Sequence, residues 1–340
     1  MDIIMVGACY LDTILTVPHY PEEDRKLRAS NLEIRRGGNC ANSLEVLQQL
    51  IVRRGEDQDT LDLSSTAEET KNHLHLVSCL PNRDSPAAQQ VIRSFGSATP
   101  VSFRHCIYRE EAAEAASSYI IRSKETGSRT LVNYNALDEM TVAEFEAIAR
   151  NFKPESRSWW HFEGRIPDTT LECMRILRRV LPGSKISVEV EKPGREGLRE
   201  LAAEADVVFY SKAWAEDSGY DSAMACLTTE PRGQASLTLC PWAAGGAYAL
   251  SHLSGDQIHC PVEQQPDEIT VVDSVGAGDT FIAGILYGFT AGSRGDAGWD
   301  ARRCVRFAVD LATLKVQREG FAGLGDAIMH VQKRQPVTTV

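Results

Sequence analysis

The chain has 340 residues, 43% of them hydrophobic, enough for the core of one large α/β domain, although length alone also allows two smaller ones. Its 47 acidic against 36 basic side chains, a formal net charge of -11, disfavour a nucleic-acid partner; an anionic ligand would have to be held locally, and a small-molecule partner fits better. Nothing approaches the roughly 20 consecutive apolar residues of a membrane span, and the start Met1-Asp2-Ile3-Ile4-Met5-Val6-Gly7 lacks the basic and long apolar segments of a secretory leader. The nine cysteines stand singly with no CxxC pair, which points away from a zinc site or a complete disulfide framework and toward reduced, mostly buried thiols in a cytoplasmic protein.

Ile3 to Ala8 reads as a buried strand, and Leu44 to Leu50 as the apolar face of a helix starting near Gly38 and Asn39. The connector between them is too long for a plain βα loop and carries strands of its own; its alternating Leu32, Ile34 and Arg36 suit a half-exposed one. From Arg53 to Asn72 the chain is polar and acidic, the composition of a solvated insertion. Ser118 to Arg122 and Thr130 to Tyr134 flank Glu125-Thr126-Gly127-Ser128, a hairpin signal, and could join the earlier extended stretch in one small sheet.

The remainder alternates. Trp159 to Glu163, Ile186 to Val190, Val207 to Tyr210, Leu237 to Leu239 and Gly246 to Leu250 read as strands; Asp168 to Val180, a stretch near Leu198, Gly278 to Phe289 and Ala301 to Arg318 read as helices. Such alternation implies parallel βαβ units with helices on both faces of a sheet. There is no internal repeat.

The sharpest string is Asp273-Ser274-Val275-Gly276-Ala277-Gly278-Asp279-Thr280-Phe281, opening an apolar helix after the short run Ile269 to Val272. Small residues at 276 to 278 let the backbone approach a ligand, and the first N–H groups of a helix point outward with the positive end of its dipole. That is an anion hole of the kind phosphoryl transfer needs. Asp279 in the first turn is placed to act as a general base. On its own the string also describes a tight turn with an acidic helix start. Neither GxxxxGK[ST] nor a kinase HRD set occurs.

Residues 273–284, DSVGAGDTFIAG, resemble the second signature of the ribokinase or PfkB carbohydrate kinase family, and Arg36-Gly37-Gly38-Asn39-Cys40-Ala41-Asn42-Ser43 resembles its first, in the expected order and about 240 residues upstream. Similarity to the ketohexokinase branch runs through Tyr20 to Asp24, His161 to Arg165, Ser187 to Pro193 and Asp206 to Phe209. Only about residues 51 to 100 look unlike the family.

The resemblance implies a single ribokinase-like domain over 1–340: a central twisted, mostly parallel sheet flanked by helices, with a small β-sheet lid. The lid segments would lie at about 12–36 and 100–135, the polar insertion at about 53–72, and the lid would clasp a second copy in a homodimer. It implies an ATP-dependent kinase acting on a hydroxymethyl of a ketose such as fructose. Other family acceptors are ribose, a 2-keto-3-deoxy sugar acid or a nucleoside. A non-catalytic sensor of the same fold would be expected to have lost Asp279 or the glycines, which are intact. Asp12, Gly38, Asn39 and Asn42 match sugar-binding positions, and Arg129 matches a lid arginine that reaches the ATP phosphates. Ala243, Ala244, Gly245 and Gly246 fall on a nucleotide-contacting run, with Ala244 and Gly245 where ketohexokinases carry acids. Gly276, Ala277 and Gly278 would stabilise the transferring phosphoryl, and Asp279 would be the base.

Mg²⁺ is implied without an assigned ligand: the match to the family's NxxE motif, Tyr210-Ser211-Lys212-Ala213, ends in alanine. Glu216 could substitute, and Glu189 and Glu191 could join a metal network or pair with Arg165 or Lys192. Gly320-Phe321-Ala322-Gly323, with the segment near Thr270, resembles a loop that binds a monovalent cation such as K⁺ in some members.

Overall fold

A computed structural model describes residues 1–59, 73–263, 269–291 and 300–334. Three strands, β1 (Asp2–Val6), β2 (Tyr10–Val17) and β3 (Asn31–Gly37), lead into α1 (Asn39–Asp59). Then come β4 (His73–Val77), β5 (Cys79–Pro81), α2 (Pro86–Arg93), β6 (Val101–Ser102), β7 (Ile107–Arg109) and the hairpin β8 (Ser117–Ser123) and β9 (Arg129–Tyr134). The next stretch is α3 (Val142–Ala149), β10 (Ser158–Phe162), α4 (Pro167–Val180), β11 (Lys185–Val190), α5 (Leu198–Glu204), β12 (Val207–Tyr210), α6 (Lys212–Asp217) and α7 (Ala223–Thr229). β13 (Leu237–Pro241), β14 (Ala247–Ser251), β15 (Gln257–Cys260), α8 (Ala277–Ala291), α9 (Ala301–Val316) and α10 (Leu324–Arg334) complete it.

The nine-stranded central sheet has the order β15-β14-β13-β12-β11-β10-β1-β4-β6. It is parallel from β6 to β13, as the strand–helix alternation implies. β14 and β15 are antiparallel, because only short turns join β13, β14 and β15 and a parallel neighbour needs a long crossover. Strand alternation sends Ile3 and Met5 into one core with α1, α8, α9 and α10, and Ile4 and Val6 into the other with Phe145, Met174, Leu201 and Cys226 of the opposite helices. A three-layer α/β architecture, with a mostly parallel sheet between two layers of helices, follows from these two buried faces.

A separate four-stranded sheet has the order β3-β2-β8-β9. It is narrower than segments 12–36 and 100–135, since β6 joins β4 and β7 joins β5 instead. In its register Asp12 faces Arg35, Ile14 faces Ile120 and Arg122 faces Arg129, which places Asp12, Arg35 and Arg129 on one face. The other face presents Leu32, Ile34, Tyr119 and Val132, all about half exposed or more. Helix α1 continues to Asp59, into the stretch expected to be a polar insertion from Arg53; residues 60–72 lie outside the described residues. Among the described residues no helix is long and apolar enough to cross a membrane.

Helix α8 is set in place by α9. A Cβ on Gly284 would lie 2.8 Å from Ala308 Cα and 2.9 Å from its Cβ, so the two backbones meet with nothing between them. Gly284→Val is therefore expected to destabilise by about 1–3 kcal/mol through overpacking, read as a lower urea midpoint. Ala308→Gly in the same chain should recover part of that loss.

Candidate active site

Helices α1 and α8 both start at the carboxyl edge of the central sheet, and each is entered through a glycine that only glycine can satisfy. Gly38 has φ +103° and a Cβ there would overlap the Ala8 carbonyl. Gly276 has φ +78° and a Cβ there would overlap the Phe321 ring.

The two helix starts are cross-linked. Asn42 Nδ2 donates to Asp279 Oδ2 at 2.8 Å, and Ser43 Oγ donates to the Asp279 carbonyl at 3.0 Å. The buried Arg36 donates from Nη1 to Asn42 Oδ1 at 3.0 Å, which sets the amide so that its NH₂ faces Asp279. Arg36 also ion-pairs with Glu45 and lies 4.4 Å over the Phe95 ring.

Beside them, Asn39 Nδ2 bridges two carboxylates, 2.8 Å from Glu189 Oε2 and 3.1 Å from Glu191 Oε2. Trp159 Nε1 donates to Ser187 Oγ at 2.8 Å, and Ser187 Oγ lies 2.9 Å from His161 Nδ1. His161 Nε2 lies 3.0 Å from Glu189 Oε1, so the ring bridges the Ser187 hydroxyl and the Glu189 carboxyl group. Burial depresses His161 to about 3, which keeps it neutral. Its contact with Glu189 is thus a hydrogen bond between a neutral ring and a carboxyl group, not an ion pair. Glu163 accepts from the Ala8 amide at 2.9 Å.

Charge is crowded here. Burial, then Glu189, raises the Asp279 carboxyl well above its ordinary range, against the Asn42 hydrogen bond. Burial and Glu191 push Glu189 up to about 8, and burial and Glu189 push Glu163 up to about 7.

A cleft of about 720 Å³ is lined by Asp12, Arg35, Gly38, Asn39, Asn42, Arg129, Glu191, Gly276, Gly278 and Asp279. Asp12 Oδ1 is buried in it without a hydrogen-bond partner, and burial raises the Asp12 carboxyl despite Ser118 and Arg35. A neighbouring cleft of about 160 Å³ is lined by Asn39, Glu189, Glu191, Asp279 and Pro241. The fold thus gathers Asp12, Gly38, Asn39, Asn42, Arg129, Gly276, Gly278 and Asp279 from three distant stretches.

Other expected residues lie elsewhere. Ala277 lines neither cleft and its amide turns back to Ser274 O at 3.3 Å, closing the turn that starts α8. Ala243 to Gly246 form the turn between β13 and β14, closed by Trp242 N to Gly246 O at 2.7 Å, and also line neither cleft. Glu216 is half exposed beside Lys212, 3.5 Å away, and does not reach the carboxylate cluster. Arg165 pairs with Glu139 and the Tyr10 hydroxyl, and among the described residues Glu189 and Glu191 take no ion pair with it or with Lys192. Sequence reasoning passed over Arg35, Arg36, Glu163 and His161. Arg36 was within reach, since it opens the first glycine string.

The sequence pattern described as pfkB family carbohydrate kinase matches residues 1–324. The chain belongs to this family. Mouse ketohexokinase is 32% identical over 336 residues, covering 95% of this chain and 98% of the mouse protein. Among solved structures, Arabidopsis thaliana ribokinase complexed with ribose and ATP superposes with a TM-score of 0.74 at 16% identity, covering 98% of this chain and 99% of that one. Methanocaldococcus jannaschii nucleoside kinase superposes with a TM-score of 0.67 at 16% identity, covering 98% of each. This PfkB kinase is an ATP-dependent sugar kinase.

The folded kinase holds a proton on Glu189 that the unfolded chain, with a carboxyl near 4.5, releases. The stability this contributes is fully present below about pH 4.5 and is lost as pH rises through about 8. Glu189→Gln is therefore expected to flatten the fall in melting temperature between those limits, measured without nucleotide or metal.

Proposed function

We propose that this kinase transfers the γ-phosphoryl group of ATP to a hydroxymethyl of a ketose such as fructose, with Asp279 as general base. The observation that carries the reading is Asp12 Oδ1, a buried acceptor without a donor in the cleft that also holds Asp279. A polyol supplies hydroxyl donors to such a group, and Asn39 and Asn42 offer amide groups beside it. Burial makes Asp279 a stronger base than a free carboxylate. Its Oδ2 is occupied by Asn42, so Oδ1 takes the hydroxyl proton. The freed oxygen bonds to the γ-phosphorus as the bond to the bridging oxygen breaks, and ADP leaves.

The start of α8 at Gly276 and Gly278 supplies positive potential to the transferring group, and Arg35 and Arg129 face the same cleft from the small sheet. Ala277 contributes through the turn it closes. Ala243 to Gly246 follow Pro241, which lines the smaller cleft, and we assign them backbone contacts to the nucleotide. Glu189 and Glu191 are oxygen donors that fit a hard cation, and they would hold Mg²⁺ beside Asp279. Bound there, the ion neutralises charge on the β and γ phosphate oxygens.

The 32% identity to ketohexokinase supports a ketose over ribose. Phe321, the aromatic ring of the larger cleft, is already committed against Gly276, which argues against a nucleoside base. Nine cysteines, eight of them buried, fit a cytoplasmic setting. The exposed Leu32, Ile34, Tyr119 and Val132 fit a homodimer joined through the small sheet.

ADP release over a panel of ketoses, aldoses and nucleosides with Mg²⁺ should be fastest with a ketose, and Asp279→Asn should lower kcat by about 10²–10⁴-fold without lowering the melting temperature. Turnover of no sugar, or full activity in the Asn variant, would sink the reading. The dimer is checked separately: Ile34→Glu with Val132→Glu should sediment as a monomer where the parent sediments as a dimer.

A further inference from the structure

Helix α9 carries in its last turn a lysine that no water reaches. Lys315 is fully buried, and its Nζ lies 3.0 Å from the Asp273 carbonyl, 3.0 Å from Asp273 Oδ2 and 3.4 Å from the Arg318 carbonyl. Three N–H donors meet three oxygens, with the Phe321 ring centroid 5.3 Å away. The ammonium sits in the last turn of α9, where a cation is favoured.

Its partners are the parts that shape the anion hole. Asp273 Oδ1 accepts the Val275 amide at 3.0 Å, and Val272 and Asp273 donate their amides to the Val316 carbonyl at 2.7 and 3.1 Å. Gly276 follows, packed on Phe321. One ammonium therefore joins the segment entering α8 to the loop after α9.

A K⁺ ion between these same two loops would draw on carbonyl and carboxylate oxygens. Here those oxygens already receive the Lys315 protons, and a second cation among them would meet the ammonium's repulsion. The residues present do not fit a bound monovalent ion.

We propose that Lys315 is a tethered cation standing where a monovalent ion would otherwise sit, so that the anion hole of this kinase is shaped without K⁺. The inference rests on reading Gly276 to Asp279 as the phosphoryl site. Lys315 is a positioning residue: it touches no substrate and acts through Asp273, Val275 and Phe321.

The test compares the full-length parent with Lys315→Ala in K⁺, NH₄⁺ and tetramethylammonium chlorides at equal ionic strength, reading melting temperature without ligands and sugar-dependent ADP release. The parent should melt and turn over alike in all three salts. The variant should lose about 10²-fold in turnover, the cost of a catalytic group misplaced by ~1 Å, and melt lower. K⁺ or NH₄⁺, but not tetramethylammonium, should restore both saturably. A saturable K⁺ response of the parent in either readout overturns the proposal, as does a variant as blind to K⁺ as the parent. If Lys315→Ala does not fold, the parent's titration decides: flat supports, saturable overturns. Melting reports ion binding even if no sugar is turned over, so failure of the sugar-kinase reading is distinguishable from failure of this one.

Discussion

The hydrogen bond from Asn42 to Asp279 joins two helix starts that lie 237 residues apart in the chain. Each start follows a glycine turn at the carboxyl edge of the sheet, and each would be an ordinary capped helix if the other were elsewhere. Together they close the floor of one cleft, and Arg36 orients the amide that makes the bond. The backbone contact between Gly284 and Ala308 holds α8 where that bond can form.

Around this link the protein gathers carboxyl groups among neutral partners. Asp279, Glu163, Glu189 and Glu191 converge, and the groups that touch them are neutral: Asn39, Asn42, His161 and the Ala8 amide. Burying carboxyl groups this way is costly, and Asp279, Glu163 and Glu189 respond by holding protons. An arrangement that is unfavourable in the empty protein is favourable for one that must receive a cation and a proton, which is where stability and function trade against each other.

On the far side of the helix starts the logic is reversed. The buried Lys315 is fully paired, with Asp273 and two carbonyls satisfying each of its protons. The cost of desolvating the ammonium is offset by a carboxylate and by fixed dipoles, and what remains is geometry: the entry to α8 is tied to α9 and the loop beyond it. The small sheet completes the enclosure, its register carrying Asp12, Arg35 and Arg129 on the face that meets the cleft.

Period and punctuation made much of this legible. The alternation of apolar strands and amphipathic helices identified the doubly covered sheet, and the two glycine strings located the starts of α1 and α8, because a positive-φ residue at a close approach leaves glycine little substitute. Asp12, Asn39, Asn42 and Arg129 were nameable through the family pattern around them. The antiparallel β13–β14–β15 edge, the continuation of α1 to Asp59, the inward turn of the Ala277 amide and the placement of Ala243 to Gly246 away from the clefts were decided only by the fold. So was Lys315, which in sequence is one more lysine near a helix end, whereas its partner Asp273 is 42 residues away. Local sequence sets which backbone conformations are cheap; whether a charged side chain ends in water or among carbonyls depends on what distant segments bring to it.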